Sequence, residues 1–120
     1  MDSEAIRDVF QAVGRPLQIR RMFGGQGVYQ GDVMFALVAR DEIYLKADAE
    51  TVDEFRNLGS KPFAFDTKGG TTTITSYWLM PASGFDEPDE AARFADLAMA
   101  AALRARRGRN AKKSRRKTGT

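Results

Sequence analysis

The sequence predicts an α+β domain: an antiparallel sheet of about six strands with flanking helices, in the order α, four β, α, two β, α. Three observations carry this. Stretches rich in β-branched and aromatic residues recur at Leu17 to Phe23, Val28-Tyr29, Val33 to Val38, Ile43 to Lys46, Phe63 to Phe65 and Thr72 to Met80. Glycine-containing turns separate several of them at hairpin spacing. Helical periodicity is found at both ends and once between the two groups of strands. At 120 residues the chain is one domain with one core.

The elements follow in order. Residues 3 to 13 place Ile6, Val9, Phe10 and Val13 at helical spacing, with Glu4 early enough to complement the helix dipole and Gly14 placed to end the helix. Pro16 forbids its continuation, and Leu17 to Phe23 alternates as a strand. Gly24, Gly25 and Gly27 permit a turn, and Gly31-Asp32 a second, while Arg40-Asp41-Glu42 interrupts the apolar run before Ile43; a four-stranded meander results. Asp48 is a suitable cap for a helix from Ala49 to Leu58, buried through Val52 and Phe55 and closed by Gly59. A hairpin about Lys68-Gly69-Gly70 comes next and ends at Pro81. The last helix starts at Pro88, carries Asp89 and Glu90 in its first turn, and is rich in alanine, with Phe94 and Leu97 among them.

Charge divides the chain unevenly. Residues 1 to 103 hold 10 Lys/Arg against 16 Asp/Glu, a net of −6, whereas residues 104 to 120 hold 9 Lys/Arg and no acid. The expected organisation is an acidic domain over 1–107 and a disordered basic tail over 108–120, whose composition cannot bury apolar surface. Arg104, Arg106, Arg107, Arg109, Lys112, Lys113, Arg115, Arg116 and Lys117 would release counterions from DNA or RNA, which makes them the candidate nucleic-acid-binding residues. Basic runs are nonspecific signals, so a solubilising terminus or an arm folded back on the acidic domain are the competing readings.

Chemistry is bounded mostly by what is missing. The chain has no Cys and no His, which removes disulfides, thiolate nucleophiles, Cys/His zinc sites and imidazole bases. The adjacent acids Asp41-Glu42, Asp53-Glu54, Asp86-Glu87 and Asp89-Glu90 diverge on a helix or strand rather than meeting at one site. No catalytic residue, cofactor site or metal site is expected, and the protein reads as a non-enzyme. The longest apolar stretch, near Met34 to Ala39, is far short of the roughly 20 residues that cross a bilayer, so no membrane role is expected. The acidic start MDSEAIRD does not resemble an export signal, and a cytoplasmic location is the expectation.

Two blocks remain to be weighed. Gly25-Gln26-Gly27-Val28-Tyr29-Gln30 lacks the last glycine of the dinucleotide fingerprint and precedes a strand, so it reads as a tight turn with no room for side chains. Arg21 and Lys46 interrupt strand-like stretches and could make a small cationic pocket; otherwise each solvates at a strand end or pairs with a carboxylate such as Asp48. Tyr29, Phe35, Tyr44, Phe63, Phe65, Tyr77 and Trp78 could stack on bases, but aromatics at alternate strand positions are more often core, and Tyr77 and Trp78 point to opposite faces.

Arg21, Met22, Phe23, Gly24, Gly25, Tyr29 and Lys46, followed by Tyr77, Trp78 and Pro81 within SYWLMP, resemble the motifs of the TfoX/Sxy N-terminal domain. The resemblance runs from the first helix to about Arg106. It implies the secretion-chaperone-like α+β fold of that family and a part in regulating transcription for competence, through contacts with other regulators. Full-length members carry a second, helical domain, where this sequence instead has the basic segment. The leading expectation is a small regulatory or adaptor protein, associated with DNA or RNA through its tail. A protein-interaction module with no nucleic-acid role, a homodimer or a secretion-chaperone-like adaptor, is the alternative, and a small-molecule pocket beside the MFGG turn and Lys46 is a third.

Overall fold

A computed structural model describes residues 1–22 and 24–118, with side chains described as far as Ala111. Six antiparallel strands form one sheet: β1 (Gln18–Met22), β2 (Gly25–Gln30), β3 (Val33–Ala39), β4 (Glu42–Lys46), β5 (Pro62–Thr67) and β6 (Gly70–Leu79). Their order across the sheet is β1-β2-β3-β4-β6-β5, so the meander is extended by β6 rather than β5. Helices α1 (Ser3–Val9), α2 (Val52–Asn57), α3 (Ser83–Asp86) and α4 (Pro88–Thr118) complete the chain.

The expected α+β class and element order hold, with differences at the boundaries that have physical causes. The first helix breaks at Phe10 into a 3-10 turn over Gln11–Val13, which ends on Gly14 in the left-handed conformation (φ 71°). Gly25 and Gly27 belong to β2 rather than to a turn, because each lies where a side chain would not fit. An added Cβ on Gly25 would collide with the carbonyl oxygen of Val38, and one on Gly27 would lie 2.7 Å from the sulfur of Met34 and 2.9 Å from that of Met22. Asp48 does not cap α2. Its carboxylate accepts from the Glu50 N–H (3.1 Å) and Thr51 hydroxyl (3.4 Å) and shapes the preceding turn, so the helix begins only at Val52. A short helix, α3, lies within the stretch between Pro81 and Pro88, to which the sequence assigned no element. Residues 108–118, expected to lie in a disordered tail, continue α4, and residues 119–120 lie outside the described residues.

One face of the sheet is covered by the helices. Val28, Ala36, Val38, Ile43, Leu45, Trp78 and Met80 project from it into a core shared with Ile6, Phe10, Phe55, Ala91, Phe94, Ala95 and Ala98. The register between β2 and β3 steps from Val28↔Ala36 to Tyr29↔Met34, leaving Phe35 without an opposite residue. That bulge lets Phe35 turn inward beside Ala36 and set its ring edge-on to Phe10 at 5.6 Å. Phe55 of α2 and Phe94 of α4 lie with ring centroids 6.0 Å apart and are fully buried. Among the described residues no helix is long and apolar enough to cross a membrane.

The opposite face meets α4 at the end that carries Tyr29, Met34, Lys46 and Tyr77, where Ala105 and Arg109 lie beside them. By strand alternation and contact it carries Met22, Tyr29, Met34, Leu37, Tyr44, Lys46 and Tyr77, most of them half-buried.

Candidate functional site

Two places on this framework have the makings of a site. The larger is a cavity of about 510 Å³ on the open face, between the β1–β2 hairpin and β5. Met22, Leu37, Ala39, Phe63 and Phe65 line it with the Gly24-Gly25 backbone, and Arg40 is the charged residue at its rim. The Arg40 guanidinium donates to the carbonyl of Ala64 at 2.7 Å, tying the β3–β4 turn to β5. Tyr44 stacks edge-on to Phe63 at 4.8 Å and donates its hydroxyl to Glu42 at 2.8 Å; burial and that carboxylate push its pKa up to about 12. The surface is apolar and suits the side chains of a partner or an apolar ligand.

The second place is where α4 leaves the sheet. Ala91, Ala95, Ala98 and Ala102 are buried at spacings of four, three and four, one stripe of the helix laid against β3 and β4. Ala105 and Arg109 continue that stripe, so Arg109 faces the end of the sheet rather than away from it. The helix is pinned on both sides of this stripe. Arg104 donates Nε to Asp48 Oδ2 (2.6 Å) and Nη2 to Oδ1 (3.0 Å), and its Nε lies 2.7 Å from Glu50. Arg106 donates through two nitrogens to Asp32 in the β2–β3 turn, at 2.8 and 2.9 Å. Each guanidinium holds its carboxylate below the ordinary aspartate range, chiefly through these hydrogen bonds.

Between the pins lies a cavity of about 250 Å³. Lys46 and Tyr77 from the sheet, Tyr29 and Met34 beside them, and Ala105 and Arg109 from the helix line it, with the Asp32–Arg106 pair at its edge. Lys46 places its ammonium 5.0 Å over the Tyr77 ring. Burial lowers the Lys46 pKa and the Arg109 charge lowers it further, with Asp48 opposing. Tyr77 is pushed up to about 12, first by burial and then by Tyr29. Among the described residues, neither Lys46 nor Arg109 has a carboxylate within 4 Å.

The candidate residues therefore separate. Arg21 and Lys46 do not make one pocket: Arg21 is exposed at the edge strand opposite Gln26, whereas Lys46 pairs in register with Tyr77 at the other end of the sheet. The pocket beside the MFGG turn likewise excludes Lys46. Phe23 lies outside the described residues. Trp78 is buried on the helix side and donates its indole N–H to the Thr75 carbonyl (2.9 Å), and Pro81 is buried beyond the strand. Of the nine basic candidates, Arg104 and Arg106 are occupied by carboxylates, Arg107 and Arg109 are exposed on the helix, and the side chains of Lys112, Lys113, Arg115, Arg116 and Lys117 lie outside the described ones. The adjacent acids diverge, Asp53 pairing with Arg56 at 3.2 Å and Glu54 with Arg93. The role of Asp32 was not legible, since Gly31-Asp32 reads simply as a turn.

A single antiparallel sheet with one helix-covered face, a glycine-tight first hairpin and a long C-terminal helix defines a small α+β domain in which turns and helix ends carry the charged groups. This chain belongs to the family of the TfoX N-terminal domain, whose model matches residues 8–102. The match takes in Lys46, Tyr77 and the glycine hairpin and ends within α4, before Arg104. No curated protein matches the chain.

Proposed function

We propose that this protein is a non-catalytic regulatory or adaptor domain that associates with nucleic acid through the second half of α4. The observation that carries the reading is the run of seven Lys/Arg and no acid from Arg107 to Lys117 on a helix whose root is fixed to the sheet. A segment of this composition favours phosphate backbones without selecting bases. The folded part bears excess negative charge, so contact is confined to the helix end and the domain is left to meet other regulators. A part in transcription regulation linked to competence is the role that the resemblance to this family implies, and membership of the family is what supports it.

Fluorescence anisotropy of a labelled random-sequence duplex tests this with the whole chain and with residues 1–110, which keep both pins. The whole chain is expected to bind, and loss of five of the seven cations to weaken it by about tenfold or more at low salt. Equal binding by the two chains would defeat the proposal.

The open face supports a second reading, a protein-docking module, because Phe65 is exposed beside the apolar cavity. In that case Phe65→Asp is expected to abolish self-association in sedimentation velocity or capture of a regulator while leaving nucleic-acid binding unchanged.

A further inference from the structure

The cavity between Lys46 and Arg109 brings two cations to one small space; the carboxylate in its lining, Asp32, is held by Arg106, and neither Lys46 nor Arg109 has an acid within 4 Å among the described residues. Arg104 and Arg106, one helical turn earlier, are each saturated by acids, so the contrast lies within a single helix end. The acid nearest to Lys46 along the chain, Asp48, is already committed to Arg104. Two like charges held over one small space repel, and an anion placed between them removes that repulsion while accepting hydrogen bonds from both. The lining supplies further suitable groups: the hydroxyls of Tyr29 and Tyr77 can donate, and the alanines of α4 leave room at the helix surface. A cavity of about 250 Å³ is roomy enough for a tetrahedral oxyanion and does not resemble the apolar lining of the larger cavity.

We infer that Lys46, Arg109, Tyr29 and Tyr77 form a seat for one phosphate group, at the root of the basic helix. The inference deepens the nucleic-acid reading above, on which it rests for the source of the phosphate: a backbone phosphate entering this seat would anchor the strand against the folded domain, and the remaining cations of α4 would follow it outward. The site joins a residue within the family match, Lys46, to one beyond it, Arg109.

The test uses the full chain, ¹⁵N-labelled, titrated with inorganic phosphate against sodium chloride of equal ionic strength. The amides of Lys46, Tyr77 and Arg109 are expected to shift saturably with phosphate and not with chloride, and Lys46→Met and Arg109→Gln each to abolish the shifts while the rest of the spectrum stays dispersed. Arg109→Gln alters an exposed helical position, so it keeps the test valid should Lys46→Met disturb the sheet. A second arm measures single-stranded oligonucleotide binding by anisotropy, where Lys46→Met is expected to weaken affinity and reduce the salt slope by about one. If phosphate shifts these amides but no oligonucleotide binds, the seat stands and its source is a free phosphate or phosphomonoester, and the nucleic-acid proposal fails. Phosphate without effect on these amides, or with the same effect in both variants, overturns the seat, whatever the oligonucleotide does.

Discussion

The two halves of α4 are one continuous helix built on opposite principles. From Pro88 to Leu103 its inner side is alanine with a few large apolar residues, held by burial of Ala91, Phe94, Ala95, Ala98 and Ala102 against the sheet and α2, while Asp89, Glu90, Arg93 and Asp96 supply its charge. From Arg104 on the sequence is almost without apolar residues, and the helix's hold on the domain passes to two bidentate ion pairs. The first half owes its place to the hydrophobic effect, which salt and moderate pH hardly touch. The second owes its place to electrostatics, which both can undo. A helix so divided can keep the fold intact while its outer half answers to ionic conditions and to a polyanion.

The largest effect is expected in the first half. Phe94→Ala removes a fully buried ring that meets Phe55 and should cost about 3–5 kcal/mol in chemical denaturation, enough to unfold much of the population of a small domain. Asp48→Asn loses the charged acceptor of Arg104, which is only partly buried, and should cost about 1–2 kcal/mol in the same assay. Acid should act on the same pins. A carboxylate whose folded pKa is depressed stabilises the fold above its unfolded value, and that contribution is lost as pH falls through the depressed one. Asp48 and Asp32 are both of this kind, so stability should be level near neutrality and fall below about pH 4, with a shallower fall in Asp48→Asn. Arg107→Gln, exposed and without a carboxylate partner among the described residues, should change stability by no more than about 0.5 kcal/mol while measurably weakening nucleic-acid binding.

How much of this was legible in the sequence follows the same division. Alternation, β-branched runs and glycine turns announce the six strands, and the alanine spacing announces the packed half of α4, because both are periodic signals written by burial. The sheet order was not legible: nothing local tells β4 to pair with β6 rather than β5. Nor was the bulge at Phe35, since it changes which face a residue takes without altering its type. The glycine cluster was read correctly as a place without room, but Gly25 and Gly27 lie within a strand, crowded by Val38 and by Met22 and Met34 from neighbouring positions. Of the charged candidates, the sequence could nominate Lys46 and the basic run separately. It could not bring Arg109 over Lys46, or give Arg104 to Asp48 and Arg106 to Asp32, because those pairings depend on where a long helix crosses the sheet. Composition also understated the helix, whose Lys and Arg are good helix formers once a packed first half has nucleated the turns before them.

The central claim is that the outer half of α4 is an electrostatic anchor for nucleic acid, and the salt dependence of binding tests it most directly. For the whole chain on a random-sequence duplex, the logarithm of the association constant should fall linearly with the logarithm of salt concentration. Neutralisation of five to seven phosphates gives a slope of about −4 to −6. A slope near zero, or no binding at low salt, would contradict the account and return the function to the open face of the sheet.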